Sequence, residues 1–87
     1  MYPKWKRKEL KPSNAAYREL FKHNMDLFDV QDILENGYDC ERSRRKKGTY
    51  ERCKKVGKKT WKVVVVESIQ RWDDRPVWLI IHVGVIK

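Results

Sequence analysis

Gly37 divides the chain by its apolar period. Before it, apolar residues recur at helical spacing; after it, they alternate or run continuously, as strands do. The segment it closes, "DLFDVQDILENG", predicts a helix with Asp26 as N-cap and Leu27, Val30, Ile33 and Leu34 as its buried face. Gly37 stands where a left-handed helix end is expected, with Tyr38 placed to fold back over the last turn. Upstream, "PSNAAYRELFKHN" predicts another helix, capped by Ser13 or Asn14. Ala16, Leu20 and Asn24 form its stripe, with Tyr17 and Phe21 beside them. Residues 1–12 show neither period and carry Lys4, Lys6, Arg7, Lys8 and Lys11 around Trp5, which predicts a flexible basic arm.

Beyond Gly37, "YDCERSRRKKGTYERCKKV" predicts two strands around a tight turn at Arg45–Gly48. Residues whose numbers sum to 93 then face one another: Arg42 with Glu51, Glu41 with Arg52, Asp39 with Lys54, and Cys40 with Cys53. Three of these pairs are opposite in sign, as neighbouring strand positions prefer, and the fourth could close a disulfide if the backbones approach closely enough. Gly57 marks a second turn. "WKVVVVES" reads as a strand buried on both faces, and "VWLIIHVGVI" as the last strand. Alternation there sends Val77, Leu79, Ile81, Val83 and Val85 toward the helices, and Trp78, Ile80, His82, Gly84 and Ile86 the other way. The expected architecture is α+β: a single domain over residues 13–87, with two N-terminal helices packed on one face of a four-stranded, mainly antiparallel sheet.

The chain has 87 residues, with 21 Lys plus Arg against 12 Asp plus Glu, a net charge of +9. An excess that large, and clustered, favours a polyanionic partner. No Gly-rich phosphate loop, nucleophile elbow or dinucleotide fingerprint occurs, so no nucleotide cofactor is expected. Cys40, Cys53, His23 and His82 lack paired ligand spacing, so no metal is expected. No stretch is apolar enough to span a membrane and the start lacks a signal-peptide core, which points to the cytoplasm.

Ten basic residues lie between Arg42 and Lys59: Arg42, Arg44, Arg45, Lys46, Lys47, Arg52, Lys54, Lys55, Lys58 and Lys59, with Glu51 alone opposing them. On a hairpin they could register a phosphate backbone, or simply solubilise and protect a sheet edge. Tyr50, Trp61 and Trp72 are interleaved and could stack on unpaired bases, although Trp61 fits a core position better. His82, on the expected sheet, is a candidate general acid or base or a structural histidine at a sheet edge.

The element order, with "HNMDLFDVQDILENGYD" leading into a basic hairpin and a "KVVVV…VWLIIHV" strand pair, resembles the RelE-like toxins and their small relatives within the barnase-like ribonuclease fold, over residues 14–87. The resemblance implies a cytosolic domain that binds RNA on the open face of its sheet, often at the ribosome, and that a small antitoxin neutralises. It further implies metal-independent endoribonuclease chemistry, with phosphate-stabilising cations among Arg42, Arg44, Arg52 and Lys54 and with His82 moving the proton. Many relatives begin the first helix with a histidine; Ala15 or Ala16 stands there in this chain. The alternatives are a non-catalytic RNA or DNA binder on the same basic face and a protein–protein adaptor that uses the tryptophan-bearing face.

Overall fold

The computed structural model describes residues 3–40 and 47–86. Its elements run β1 (Lys4–Trp5), β2 (Lys8–Pro12), α1 (Asn14–Lys22), α2 (Leu27–Asn36), β3 (Tyr38–Asp39), β4 (Thr49–Val56), β5 (Lys59–Gln70) and β6 (Arg75–Ile86). The strands form one six-stranded sheet in the order β1-β2-β6-β5-β4-β3. All neighbours are antiparallel except β2 and β6. The α+β class, the two helices and the meander from β3 to β6 agree with the expectation; the sheet has two strands more than expected.

Those two strands come from the segment expected as a loose basic arm. Lys6 and Arg7 both adopt positive φ, at 48° and 69°, the geometry that two-residue hairpin turns require. The returning strand lays Leu10 opposite Trp78, and Leu10 is fully buried. Trp5 is buried as well, its ring 5.1 Å from Trp78 and 5.5 Å from Tyr50, and its carbonyl accepts the Trp78 indole N–H at 2.8 Å. Aromatic burial thus ties β1 and β2 into the sheet.

Both helices take their expected N-caps. The Ser13 hydroxyl accepts from the Ala16 N–H, and Asp26 and Asp29 form a reciprocal capping box. Ala16 and Leu20 of α1 and Val30, Ile33 and Leu34 of α2 pack with Leu10, Val63, Val65, Trp78, Ile80 and Val83 in one core. Helix α2 reaches both sides of the sheet. Gln31 donates to the Lys4 carbonyl on β1 at 2.7 Å, and Arg52 on β4 donates to the Leu34 carbonyl at 3.2 Å. The sheet therefore curls around the helices as a half-barrel.

Three local expectations are corrected. Gly37 has φ −87°, so it is not a left-handed cap. Glycine is required there because a Cβ would run into the carbonyl oxygens of Ile33 and Cys53, where the end of α2 touches β4. The β3–β4 register is displaced by two residues: Tyr38 faces Cys53 and Asp39 faces Arg52. The Arg52 guanidinium explains the shift, since it donates to the Gly37 carbonyl at 2.6 Å and to Asp39 at 3.1 Å. Cys40 and Cys53 are nevertheless joined by a disulfide, with Cα atoms 5.3 Å apart. Expected partners Glu41 and Arg42 lie outside the described residues.

The third correction concerns the faces of β6. Val65 pairs with Ile80 but Val64 pairs with His82, so Ile81 is an extra residue, a bulge. One inserted residue inverts the alternation. Before it, Trp78 and Ile80 face the helices instead of Val77 and Leu79; after it, Val83 returns to the expected side. The valine run behaves as expected, with Val63, Val64 and Val65 all buried.

Candidate nucleic-acid interface

The cations singled out in the sequence do not share one surface. Arg52 and Lys54 occupy alternate positions on β4, opposite Val63 and Trp61, and both turn toward α2. Arg52 is consumed by the Leu34 and Gly37 carbonyls and Asp39; Lys54 is hydrogen-bonded to Asp32. That lysine, and then the Asn36 amide, holds the Asp32 carboxyl below the usual carboxylate range. Lys62 pairs with Glu51 at 2.8 Å. Lys8 pairs with Glu67 at 3.1 Å while lying 4.6 Å above the Trp78 ring. These side chains fasten elements together.

On the sheet, exposed lysines gather at the strand ends. Lys55, Lys58 and Lys59 crowd the β4–β5 turn, all exposed, and no ion pair holds them among the described residues. Gly57, at φ 62°, makes that turn with open space around it. Lys47 is exposed at the opposite end of β4, roughly 25 Å away at strand rise. Arg42, Arg44, Arg45 and Lys46 lie outside the described residues. Tyr50 belongs to the aromatic cluster with Trp5 and Trp78, edge-on to both, and Trp61 packs against the core with His23 edge-on at 5.1 Å. Trp72 alone of the interleaved aromatics stands out from the surface.

His82 sits elsewhere, on β6, with β5 between it and β4, so it is roughly 10 Å from the plane of Arg52 and Lys54 by strand spacing alone. The structure does not bring these candidates together. It supplies His82 with a different companion. Strand β2 ends at Pro12, and beyond it α1 runs along the exposed edge of β6, where Glu19 binds twice. Glu19 Oε1 accepts the Val83 N–H at 3.1 Å, and Oε2 lies 3.1 Å from His82 Nδ1. The imidazole lies over Gly84, where a Cβ would approach Nε2 to 3.0 Å. A proton on Nδ1 facing the carboxylate leaves Nε2 as the basic nitrogen of a half-exposed ring. Lys62, opposite Gly84, lies on the same face.

Glu19 was not legible as a partner, because it stands 64 residues from Val83 on a helix flank with an ordinary charged pattern. Among the described residues no group of His, Cys, Asp and Glu is arranged to hold a metal ion, and no helix is long and apolar enough to cross a membrane. Comparison of the chain with protein-family models, with curated proteins and with solved structures finds no match.

Proposed function

We propose that this chain is a small basic RNA-binding domain of RelE-like type, and that the end of the β4–β5 hairpin is its phosphate contact. One observation carries the reading. Acidic side chains neutralise the cations inside the sheet, whereas Lys55, Lys58 and Lys59 stand exposed with no acid against them among the described residues. Rigid strands fix where these lysines emerge, which suits a repeating phosphate backbone better than a point ligand. RNA rather than DNA rests on the resemblance to the RelE-like group. Helix α2 supports the exclusion of a groove-reading DNA binder, since Asp29, Asp32 and Glu35 are exposed along it. If each lysine neutralises one phosphate, affinity for single-stranded RNA falls with salt at a log–log slope of about −2. A salt titration on wild type and on Lys58→Glu/Lys59→Glu tests this: the variant should lose most of that slope. An unchanged slope would place the contact elsewhere.

A second reading, metal-independent endoribonuclease activity, is favoured by the His82–Glu19 pair. Glu19 orients the imidazole, and Nε2 would take the proton from an attacking ribose hydroxyl. A phosphate-stabilising role for Arg42 or Arg44 then rests on the resemblance, because Arg52 and Lys54 are committed to α2 and Lys62 to Glu51. Incubation of RNA or translating ribosomes with the protein in EDTA decides it. Cleavage lost in His82→Gln and reduced in Glu19→Gln, with RNA binding retained, supports the enzyme. RNA left intact by wild type leaves a non-catalytic binder.

A further inference from the structure

A groove of about 860 Å³ opens between α1, the start of α2, Pro12 of β2 and the β5–β6 turn. Four aromatic side chains line it and remain largely in water: Tyr17 at 63% exposure, Phe21 at 83%, Phe28 at 63% and Trp72 at 80%. The core is closed without them. We infer that this groove is an interaction surface for a second copy of the chain, joined across a two-fold axis.

Area is the first argument. An aromatic side chain presents about 150–250 Å², so these four expose on the order of 600 Å² between them. That matches or exceeds the largest apolar patch of an ordinary monomer, about 300–600 Å². It approaches the ~800 Å² that each partner buries in a standard interface. Shape is the second. Phe21 projects from the wall of a hollow on its own surface, so one copy offers both the knob and the hole that an isologous pairing needs. Charge is the third. Arg18 and Lys22 are exposed on α1, and Asp26 and Asp29 are exposed at the start of α2. Of the charged residues, Lys11 and Asp26 line the groove itself, so each copy brings both signs of charge to a pairing through the aromatic strip.

An RNA occupant would have to set its phosphates against the Asp26 carboxylate, which lines the groove. The net charge of +9 opposes self-association only weakly here. Lys55, Lys58 and Lys59 lie at the β4–β5 turn, outside the groove, and charges beyond roughly 8 Å are screened at physiological salt. The inference does not rest on RNA binding.

Sedimentation analysis of the whole chain from nanomolar to submillimolar concentration tests it. The expected result is a concentration-dependent shift from the mass of one chain to that of two. Phe21→Glu and Trp72→Glu, on separate elements, should each raise the dissociation constant about 30-fold or more while circular dichroism and melting stay near wild type. A single-chain mass at every concentration overturns the inference, as does a dimer that persists in both variants. So does a monomer whose RNA binding is abolished by Phe21→Glu, because the groove would then be a base-stacking site.

Discussion

The aromatic groove and the tip of the β4–β5 hairpin are both exposed and both dispensable for closing the core, yet they are built from opposite chemistry. At the groove, four aromatic rings are joined by one lysine, Lys11, and one carboxylate, Asp26. At the hairpin tip, three lysines stand without an acid among the described residues. The difference shows how a chain of net charge +9 uses its twelve acids. Asp32, Asp39, Glu51 and Glu67 each meet a cation that points into or along the sheet, and Asp26 and Asp29 cap α2. Among the described residues, a cluster of three exposed lysines without an ion pair is left at the β4–β5 turn. The two proposed surfaces are therefore chemically distinct.

The two surfaces share one joint, and breaking it should damage both. Helix α2 forms a wall of the groove and rests on β4 at Gly37. A methyl group at Gly37 meets backbone carbonyls on two sides, neither of which can swing away. Gly37→Ala should cost about 3–4 kcal/mol, read as a lower urea midpoint, with RNA affinity and self-association failing together. A variant as stable as wild type would show that α2 and β4 are not held in register there. Opening the Cys40–Cys53 disulfide is the next largest change. It closes a loop of sequence separation 13, for which chain entropy gives about 2–3 kcal/mol. Urea midpoints with and without reductant, checked by Cys40→Ala/Cys53→Ala, should show that loss. Because the bridge lies on the hairpin side, pairing through the groove should persist in the reduced protein wherever it stays folded.

The parts of this molecule that could be read from sequence are those with local causes. Both N-caps, the valine strand and the meander from Tyr38 onward follow from neighbouring residues. The first hairpin was hidden because Lys6 and Arg7 turn it without the Asn-Gly or Asp-Gly signal that marks such turns. The β6 faces were half inverted because Ile81 is an added residue in a strand whose composition looks uniform. Charge pairing suggested a register for β3 and β4, but Arg52 obeys the helix carbonyls above it and shifts the pairing by two. The candidate site suffered most from this. Arg52 and Lys54 look like phosphate ligands in the sequence and are structural ties in the fold, while Glu19 looks like surface and meets His82.

A crossed pair of substitutions sharpens the comparison further. Lys58→Glu/Lys59→Glu should weaken RNA binding about tenfold at moderate salt and leave self-association within about twofold. Phe21→Glu should do the reverse. Competition titrations and sedimentation on both proteins measure the two effects. If either variant moves both readouts, the groove and the hairpin tip form one surface.

The smallest effect concerns the Asp32–Lys54 tie, which straps α2 to β4 on the charged side and has no counterpart in the groove. Lys54, with Asn36 contributing less, holds the Asp32 carboxyl below its ordinary value of 3.8. A carboxyl depressed by folding binds its proton more readily in the unfolded chain. Its contribution is therefore present above about pH 4 and is lost as the pH falls further. Both partners are partly exposed, so added salt should shrink the effect. Melting temperatures followed from neutral pH downward should show a shallower acid decline in Asp32→Asn than in wild type, with the two curves converging in high salt. Phe21→Ala should follow the wild-type decline, because it adds no titrating group and leaves the Asp32–Lys54 tie in place. An acid limb identical in Asp32→Asn and wild type would mean that Lys54 holds the carboxylate too loosely to act as a strap, and that α2 is kept on β4 by Arg52 and Gly37 alone.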